Sequence, residues 1–277
     1  MSTPRSVWFD DVLNAAGTGP VVVALPYAGA AGRAFRPLQR YLPRDCALAL
    51  VDLPGHGRRM SEPCLRDADT VVRGLLGALD AWPADRVVLL GYSLGGWLAY
   101  ELAARLTEAG TPPAGLVVCG ARAPQTGIGH PPVVHLPPGG TFLREAVAVG
   151  LAAPAMLELP GLADLFTSAL HADLTIVQSY RYRRRPPLPG PVGVIGFDAD
   201  WIAPEPALRA WHGLCLRPPL QLRVDGGHLA LHEREREFGE AVRTAVDHVL
   251  GQRAAPVPGR YPPEPTGRRW IAPVGHS

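Results

Sequence analysis

The chain has 277 residues, of which 47% are hydrophobic and 19% charged, and its formal net charge is +2. This size fits one large α/β domain with an insertion. The charge balance argues against a nucleic-acid-binding protein, and no apolar run is long enough to cross a membrane. The first five residues lack an apolar signal core, and the four cysteines show no metal-binding spacing, so a reducing cytoplasm is the expected location.

Apolar runs along the chain predict six strands, and helical patterns lie between most of them. The predicted strands are Val21–Leu25, Ala47–Val51, Val87–Leu90, Leu116–Cys119, Val192–Ile195 and Leu220–Val224. The predicted helices are Phe35–Leu42, Thr70–Trp82, Leu94–Ala109, Pro204–His212 and Glu233–Leu250. Strands that alternate with helices indicate an α/β fold with a mostly parallel sheet covered on both faces.

One connection is too long for a simple crossover. It spans about residues 123–187 and contains two helical patterns, Phe142–Leu157 and Leu162–Tyr180. We interpret it as a helical lid insertion over the carboxyl edge of the sheet, where open α/β sheets bind ligands. The predicted organisation is therefore an N-terminal arm (1–17), one domain (18–252) that carries the lid insertion, and a flexible tail (253–277) rich in Pro, Gly and Arg.

The segment Gly91-Tyr92-Ser93-Leu94-Gly95-Gly96 lies between a predicted strand and a predicted helix. A G-x-S-x-G sequence in that position indicates a nucleophile elbow, a tight turn that exposes the serine hydroxyl. Gly91 and Gly95 lack the Cβ atoms that such a turn excludes. The alternative is a glycine-rich turn with a chance serine. We expect Ser93 to be a catalytic nucleophile because suitable partners follow it in the chain.

A serine nucleophile needs a general base, and the base needs an orienting carboxylate. In this architecture the chain order is serine, acid, histidine. His228 follows two glycines after the last predicted strand and is the predicted base, with His232 as the alternative. Asp200 follows the preceding strand and is the predicted acid, with Asp198 as the alternative. The other histidines, His56 among them, lack this placement, and most are expected to be solvated.

An oxyanion hole needs two backbone N–H donors. One is expected from Leu94, directly after the nucleophile. The other is expected from the loop after the first predicted strand, Pro26–Ala30, where Ala28 is the first choice and Tyr27 the second. The alternative interpretation of this loop is a plain Gly/Ala turn.

Six short motifs occur in order between residues 18 and 250. They are Leu25-Pro26-Tyr27-Ala28-Gly29, Leu53-Pro54-Gly55, Gly91-Tyr92-Ser93-Leu94-Gly95-Gly96, His171-Ala172-Asp173-Leu174, Tyr180-Arg181-Tyr182 and Gly226-Gly227-His228. In this order they resemble the motifs of type II thioesterases, the stand-alone α/β-hydrolases of polyketide and nonribosomal peptide pathways. The elbow is common to all α/β-hydrolases, whereas the combination is more specific.

The resemblance implies an α/β-hydrolase fold and hydrolysis of acyl thioesters from the phosphopantetheine arm of a carrier protein, for editing or product release. It implies Ser93 as nucleophile, Asp200 as acid and His228 as base, with no metal or bound cofactor. An acidic carrier protein is the implied partner, and a monomer is expected. By charge alone, the residues expected to contact the carrier are Arg33, Arg36, Arg58, Arg59 and the run of Arg181, Arg183, Arg184 and Arg185. For that run, a solvated loop is the slightly favoured interpretation.

The chain departs from the family pattern in four places. They are Ala28-Gly29-Ala30 in the first loop, Asp198-Ala199-Asp200-Trp201 near the acid, Leu229 after Gly-Gly-His, and His171 in the lid segment. These changes leave the triad intact and bear on acyl specificity and, less, on oxyanion geometry. The alternative functions are an oxygen-ester hydrolase, an acyltransferase or cyclase with the same triad, and a catalytically silent binding protein of the hydrolase fold.

Overall fold

The computed structural model describes residues 6–15, 18–127, 133–158 and 160–252. The tail predicted for 253–277 lies outside the described residues. In the part of the chain that is described, no helix is both long enough and apolar enough to span a membrane.

A seven-stranded sheet forms the centre of the fold, in the order β1-β3-β2-β4-β5-β6-β7. Its strands are β1 (Phe9–Leu13), β2 (Val21–Leu25), β3 (Ala47–Val51), β4 (Val87–Tyr92), β5 (Gly115–Cys119), β6 (Val192–Phe197) and β7 (Leu220–Val224). All neighbours pair in parallel except β1, which is antiparallel to β3. The predicted mostly parallel α/β sheet is confirmed.

Helices cover the sheet and also form the insertion between β5 and β6. The α-helices are α1 (Ala68–Leu79), α2 (Leu94–Glu108), α3 (Gly140–Ala148), α4 (Pro160–Ser179), α5 (Glu205–Arg209), α6 (Ala230–Glu233) and α7 (Glu235–Gly251). The predicted Phe35–Leu42 helix is a 3-10 helix over Gly32–Arg40 that contains Pro37. Proline has no N–H to donate inside an α-helix, which favours this shorter, irregular form.

Two hydrophobic cores lie on opposite faces of the sheet. The alternating residues of β2 show the division: Val21, Val23 and Leu25 belong to one core, and Val22 and Ala24 to the other. The first core is shared with α1, α2 and the lid insertion, and the second with the 3-10 helix and α7. Because both of their faces are buried, the inner strands β2 to β6 are apolar along almost their whole length.

The N-terminal edge strand β1 is the element that the strand predictions lacked. Its sequence, Phe9-Asp10-Asp11-Val12-Leu13, mixes acids with apolar residues and has no continuous apolar run. Its burial is partial because it lies at the sheet edge. β1 pairs with β3 in antiparallel register, with Leu13 opposite Leu48. This pairing depends on tertiary contacts and not on a hydrophobic pattern within β1.

The turn between β4 and α2 brings α2 very close to the loop after β2. A Cβ added to Gly95 would lie 2.2 Å from the Leu25 carbonyl oxygen and 2.6 Å from that of Pro26. Real Cβ atoms essentially never approach backbone so closely. Glycine at position 95 is therefore required for the elbow and the β2 loop to meet.

This close approach predicts that Gly95→Ala destabilises the fold by about 3 kcal/mol. The added Cβ would clash with backbone atoms, which cannot move aside as the end of a flexible side chain can. Gly77→Ala is the matched control, since Gly77 lies in α1 with nothing within 4 Å of an added Cβ. We expect the control to be stabilised by up to about 1 kcal/mol through helix propensity. Urea unfolding measures both, and equal effects at the two positions would contradict the argument.

Candidate active site

The site is built at the carboxyl edge of the sheet, where β4 turns into α2. Ser93 lies at this turn with φ 52° and ψ −115°, a conformation rare for a residue with a side chain. Its N–H donates to the Cys119 carbonyl at the end of β5 at 2.8 Å, and its own carbonyl accepts from Gly96 N–H at 2.9 Å. These bonds hold the strained backbone and direct the hydroxyl away from the helix.

The structure brings Ser93, His228 and Asp200 into one hydrogen-bonded chain. His228 Nε2 lies 2.9 Å from Ser93 Oγ, and His228 Nδ1 lies 2.9 Å from Asp200 Oδ2. The other oxygen of Asp200 accepts from the backbone N–H groups of Ile202 and Ala203 at 2.9 and 3.1 Å. Both the acid and the histidine are buried. The aspartate therefore fixes the imidazole with Nε2 facing the serine hydroxyl.

The alternatives from the sequence lie elsewhere. Asp198 Oδ1 is 2.8 Å from Arg223 Nη2 in an exposed ion pair. His232 Nε2 lies 2.5 Å from the Tyr27 hydroxyl rather than facing Ser93. Burial lowers the pKa of His232 and raises the pKa of Tyr27 to about 12, so both are neutral near pH 7.

Two backbone amides expected to serve as oxyanion donors lie at the junction of the elbow and the β2 loop. Leu94 is the first residue of α2, so its N–H has no acceptor within the helix. Ala28 is buried in the loop after β2, which contacts the elbow at Gly95. The loop is closed on itself by a hydrogen bond of 3.0 Å from Ala30 N–H to the Tyr27 carbonyl.

Tyr92 is a positioning residue that the sequence analysis did not identify. Its hydroxyl donates to the His228 carbonyl at 2.7 Å, and its ring is completely buried among other aromatic rings. Burial raises the pKa of Tyr92 well above its ordinary value, so it remains a neutral donor. The sequence signal that could have identified it is a bulky aromatic residue directly before the serine of the elbow motif.

A second histidine–aspartate pair lies beside the site, and its His56 is an exception to the expectation that most other histidines are solvated. His56, after β3, is buried, and its Nε2 lies 3.0 Å from Asp173 Oδ2 on α4. The same oxygen accepts from the Gly29 N–H at 2.7 Å. His56 Nδ1 faces the Pro54 carbonyl at 3.1 Å. Because both ring nitrogens face acceptors that carry no proton, both must donate, and the imidazole is cationic.

The lid insertion contributes a wall beside the serine. A cavity of about 30 Å³ is lined by Ser93 and Leu94 of the elbow, Trp97 of α2 and Val177 of α4. That volume holds roughly two water molecules. α4 of the lid insertion therefore borders the space beside the nucleophile.

The structure changes the set of arginines that were candidates for a docking surface. Arg185 is only 10% exposed and bonds to Glu101 and Glu108 at 2.7 and 3.0 Å, so it is not a solvated loop residue. Arg59 is also buried, with its guanidinium 4.4 Å from the centre of the Trp8 ring and a bidentate pair with Glu62. Arg36 and Arg58 pair with Asp11 and Asp10. The side chains of Arg33, Arg181, Arg183 and Arg184 are exposed.

Comparisons with known proteins agree on one family. A thioesterase domain model matches residues 20–247. The thioesterase PikA5 of Streptomyces venezuelae is 27% identical, over 92% of this chain and 90% of that protein. The antimetabolite synthetase AmbE of Pseudomonas aeruginosa is 32% identical over 87% of this chain, which spans only 11% of AmbE. The solved type II thioesterase BorB, from the borrelidin biosynthetic cluster, matches with a TM-score of 0.78 and 26% identity, over 90% of this chain and all of BorB.

The His56–Asp173 pair predicts a pH-dependent contribution to stability. Burial alone lowers the pKa of His56, but the charge and hydrogen bond of Asp173 outweigh it, so the pKa lies above its ordinary value. A raised pKa stabilises the fold fully below the ordinary value, and the stabilisation is lost as the pH rises through the raised one. The Tm of the wild type minus that of His56→Gln should therefore be largest near pH 6 and decline above it.

Differential scanning calorimetry of the two proteins across this range provides the measurement. Groups that do not interact with His56 titrate alike in both proteins, so their contributions cancel in the difference, whereas the titration of Asp173 is coupled to His56 and belongs to the pair being measured. A Tm difference that stays constant or grows with pH would show that His56 is not a buried cation.

Proposed function

Since this chain belongs to the thioesterase family and is a thioester hydrolase, we propose that it cleaves acyl groups from the phosphopantetheine arm of carrier proteins in polyketide or nonribosomal peptide biosynthesis. The observation that supports the catalytic assignment is the continuous chain of two 2.9 Å hydrogen bonds from Ser93 through His228 to Asp200. Ser93 is the nucleophile, His228 the general base and Asp200 the orienting acid.

The acylation step follows from this geometry. As Ser93 Oγ forms a bond to the thioester carbonyl carbon, His228 Nε2 takes the hydroxyl proton, and Asp200 stabilises the resulting imidazolium. Collapse of the tetrahedral intermediate breaks the carbon–sulfur bond, and the thiol leaves with the proton from His228. His228 then removes a proton from water as the water oxygen attacks the acyl-enzyme carbonyl carbon. Collapse of this second intermediate breaks the bond to Ser93 Oγ, which takes the proton from His228 as the free acid leaves.

The negative charge of the intermediate needs donors that are already in place. The N–H groups of Leu94 and Ala28 serve this role in the proposal, and each is worth about 3–4 kcal/mol of transition-state stabilisation. In this scheme His228 transfers the protons, and the two backbone amides stabilise the negative charge on the intermediate. The reaction as proposed therefore needs no metal and no bound cofactor.

The arginines with exposed side chains are the candidate contacts for an acidic carrier protein. Arg183 and Arg184 follow α4 at the end of the lid insertion, so a carrier bound there would lie near the C-terminal end of that helix. The proposal takes the enzyme to be a cytoplasmic monomer. Size-exclusion chromatography with light scattering tests the oligomeric state.

We expect Ser93→Ala to lower kcat for an acyl-carrier substrate by about 10⁴-fold or more, because the covalent route is removed. Asp200→Asn should lower it by about 10⁴-fold, since the amide favours the wrong tautomer of His228. Asp198→Asn is the matched control and should retain nearly full activity. A stopped assay that separates free acid from acyl-carrier gives the rates, and an active Ser93→Ala enzyme would refute the assignment.

The substrate class is tested with the same enzyme on matched compounds. kcat/KM should be higher for an acyl-N-acetylcysteamine thioester than for the corresponding oxygen ester, and mass spectrometry should find free acid rather than an amide or lactone. A preference for the oxygen ester would favour the esterase alternative, and a cyclised or transferred product would favour acyl transfer.

The double variant Arg183→Glu/Arg184→Glu should raise KM for acyl-carrier substrates by roughly tenfold at low salt, because two charges are reversed. The effect should shrink as salt is added. Kinetics with a small acyl-N-acetylcysteamine thioester should be unchanged. Arg243→Glu, on the exposed side of α7 against the opposite sheet face, is the control. An unchanged KM for the carrier in the double variant would place docking elsewhere.

A further inference from the structure

We propose that Asp173 of the lid insertion is a positioning residue for the oxyanion loop, so that docking of α4 on the body sets the Ala28 amide for catalysis. The inference rests on the proposed function only in taking Ala28 as an oxyanion donor. The observation that carries it is the hydrogen bond from the Gly29 N–H to Asp173 Oδ2, at 2.7 Å.

The bond joins segments that are far apart in the chain. Gly29 directly follows Ala28, so the peptide plane between them is fixed by the Gly29 N–H bond. The Ala28 N–H itself belongs to the preceding peptide plane, whose Tyr27 carbonyl accepts from the Ala30 N–H at 3.0 Å. The two bonds together fix the peptide planes on both sides of Ala28, so an aspartate more than a hundred residues away supplies one of the two constraints on the loop.

Packing supports the same contact. Gly29 has φ 78°, a left-handed conformation that glycine adopts without strain. A Cβ added there would lie 3.2 Å from the Leu170 Cβ and from a ring carbon of Phe166, both on α4. The loop and the helix are therefore in direct contact, and the Gly29–Asp173 hydrogen bond lies within a packed interface.

Asp173 is itself held in place from the body. It is 1% exposed, and the cationic imidazole of His56 neutralises its charge. A buried carboxylate with a cation and a backbone N–H on one oxygen has little freedom to turn. His56 thus orients Asp173, and Asp173 orients the loop. This differs from the triad, in which an aspartate orients the histidine.

Two double variants separate the hydrogen bond from the charge pair. His56→Gln/Asp173→Asn keeps an oxygen acceptor for the Gly29 N–H and buries no charge. His56→Leu/Asp173→Leu also buries no charge and fills the space with apolar groups, a replacement that buried ion pairs often tolerate. It leaves the Gly29 N–H without that acceptor. The same pair with alanine at position 173, His56→Leu/Asp173→Ala, also buries no charge and is the alternative in case the leucine pair does not fold.

The readout is the second-order rate constant for labelling Ser93 with a fluorophosphonate, expressed per folded molecule. The phosphoryl oxygen occupies the oxyanion hole in this reaction, so the rate reports on the loop without a thioester substrate. We expect the acceptor-free variants to label about 10–100-fold more slowly. The glutamine–asparagine variant should remain within about threefold of the wild type. Thr175→Val, on α4 with its hydroxyl bonded only to the His171 carbonyl, controls for a general change in the helix.

Each outcome decides the proposal. Acceptor-free variants that label as fast as the wild type would overturn it, and so would an equal loss in both double variants, since the effect would then come from the charge. A wild-type enzyme that labels at Ser93 but does not hydrolyse acyl-carrier thioesters would instead refute the proposed function. The labelling comparison would still test Asp173 in that case.

Discussion

The site depends on one backbone constraint, the turn that holds Ser93 at φ 52° and ψ −115°. Such a conformation costs on the order of 1–3 kcal/mol and persists only where its surroundings enforce it. The bond from Ser93 N–H to Cys119 and the contact of Gly95 with the Leu25 carbonyl supply that enforcement. Because both come from neighbouring parallel strands, the turn also fixes where the ends of β2 and β5 lie. The hydroxyl, the β2 loop and the His228 loop then share one edge of the sheet.

Two buried histidine–aspartate pairs lie near this edge, and their chemistry differs because of the third partner. His228 faces a serine hydroxyl, which can donate a proton, so its Nε2 is free to act as an acceptor. His56 Nδ1 faces the Pro54 carbonyl, which can only accept, and His56 Nε2 faces the Asp173 carboxylate, so both of its nitrogens carry protons. A cationic histidine cannot act as a general base, whereas it neutralises a buried carboxylate. In the proposed mechanism the first pair transfers the proton, whereas the second joins α4 to the loop after β3.

Much of the architecture follows from local patterns, and the remainder depends on tertiary contacts. β2 and β3 have the bounds that their apolar runs predict, because strands buried on both faces need continuous apolar sequence. The bounds of β7, Leu220-Gln221-Leu222-Arg223-Val224, also agree, although its apolar residues alternate with polar ones. The elbow and its partners are also accessible from the sequence, since chain order and glycine placement constrain them. β1 was not predicted because its sequence mixes acidic with apolar residues and has no continuous apolar run. His56 and Arg185 were misjudged because their burial comes from partners 117 and 84 positions away.

The geometry of α4 explains why a lid contact bears on catalysis. Asp173 and Val177 are four residues apart, so they lie on one face of the helix, one turn from each other. Asp173 holds the β2 loop, and Val177 lines the cavity beside Ser93. The end of the helix is tied to α2 by the Tyr180 hydroxyl bond to Glu101 at 2.8 Å and by the contact of the Tyr180 ring with Trp97. A rotation of α4 as one body that moves Val177 away from the cavity beside Ser93 also moves Asp173 away from Gly29, so the wall of this cavity and the β2 loop respond to the same motion.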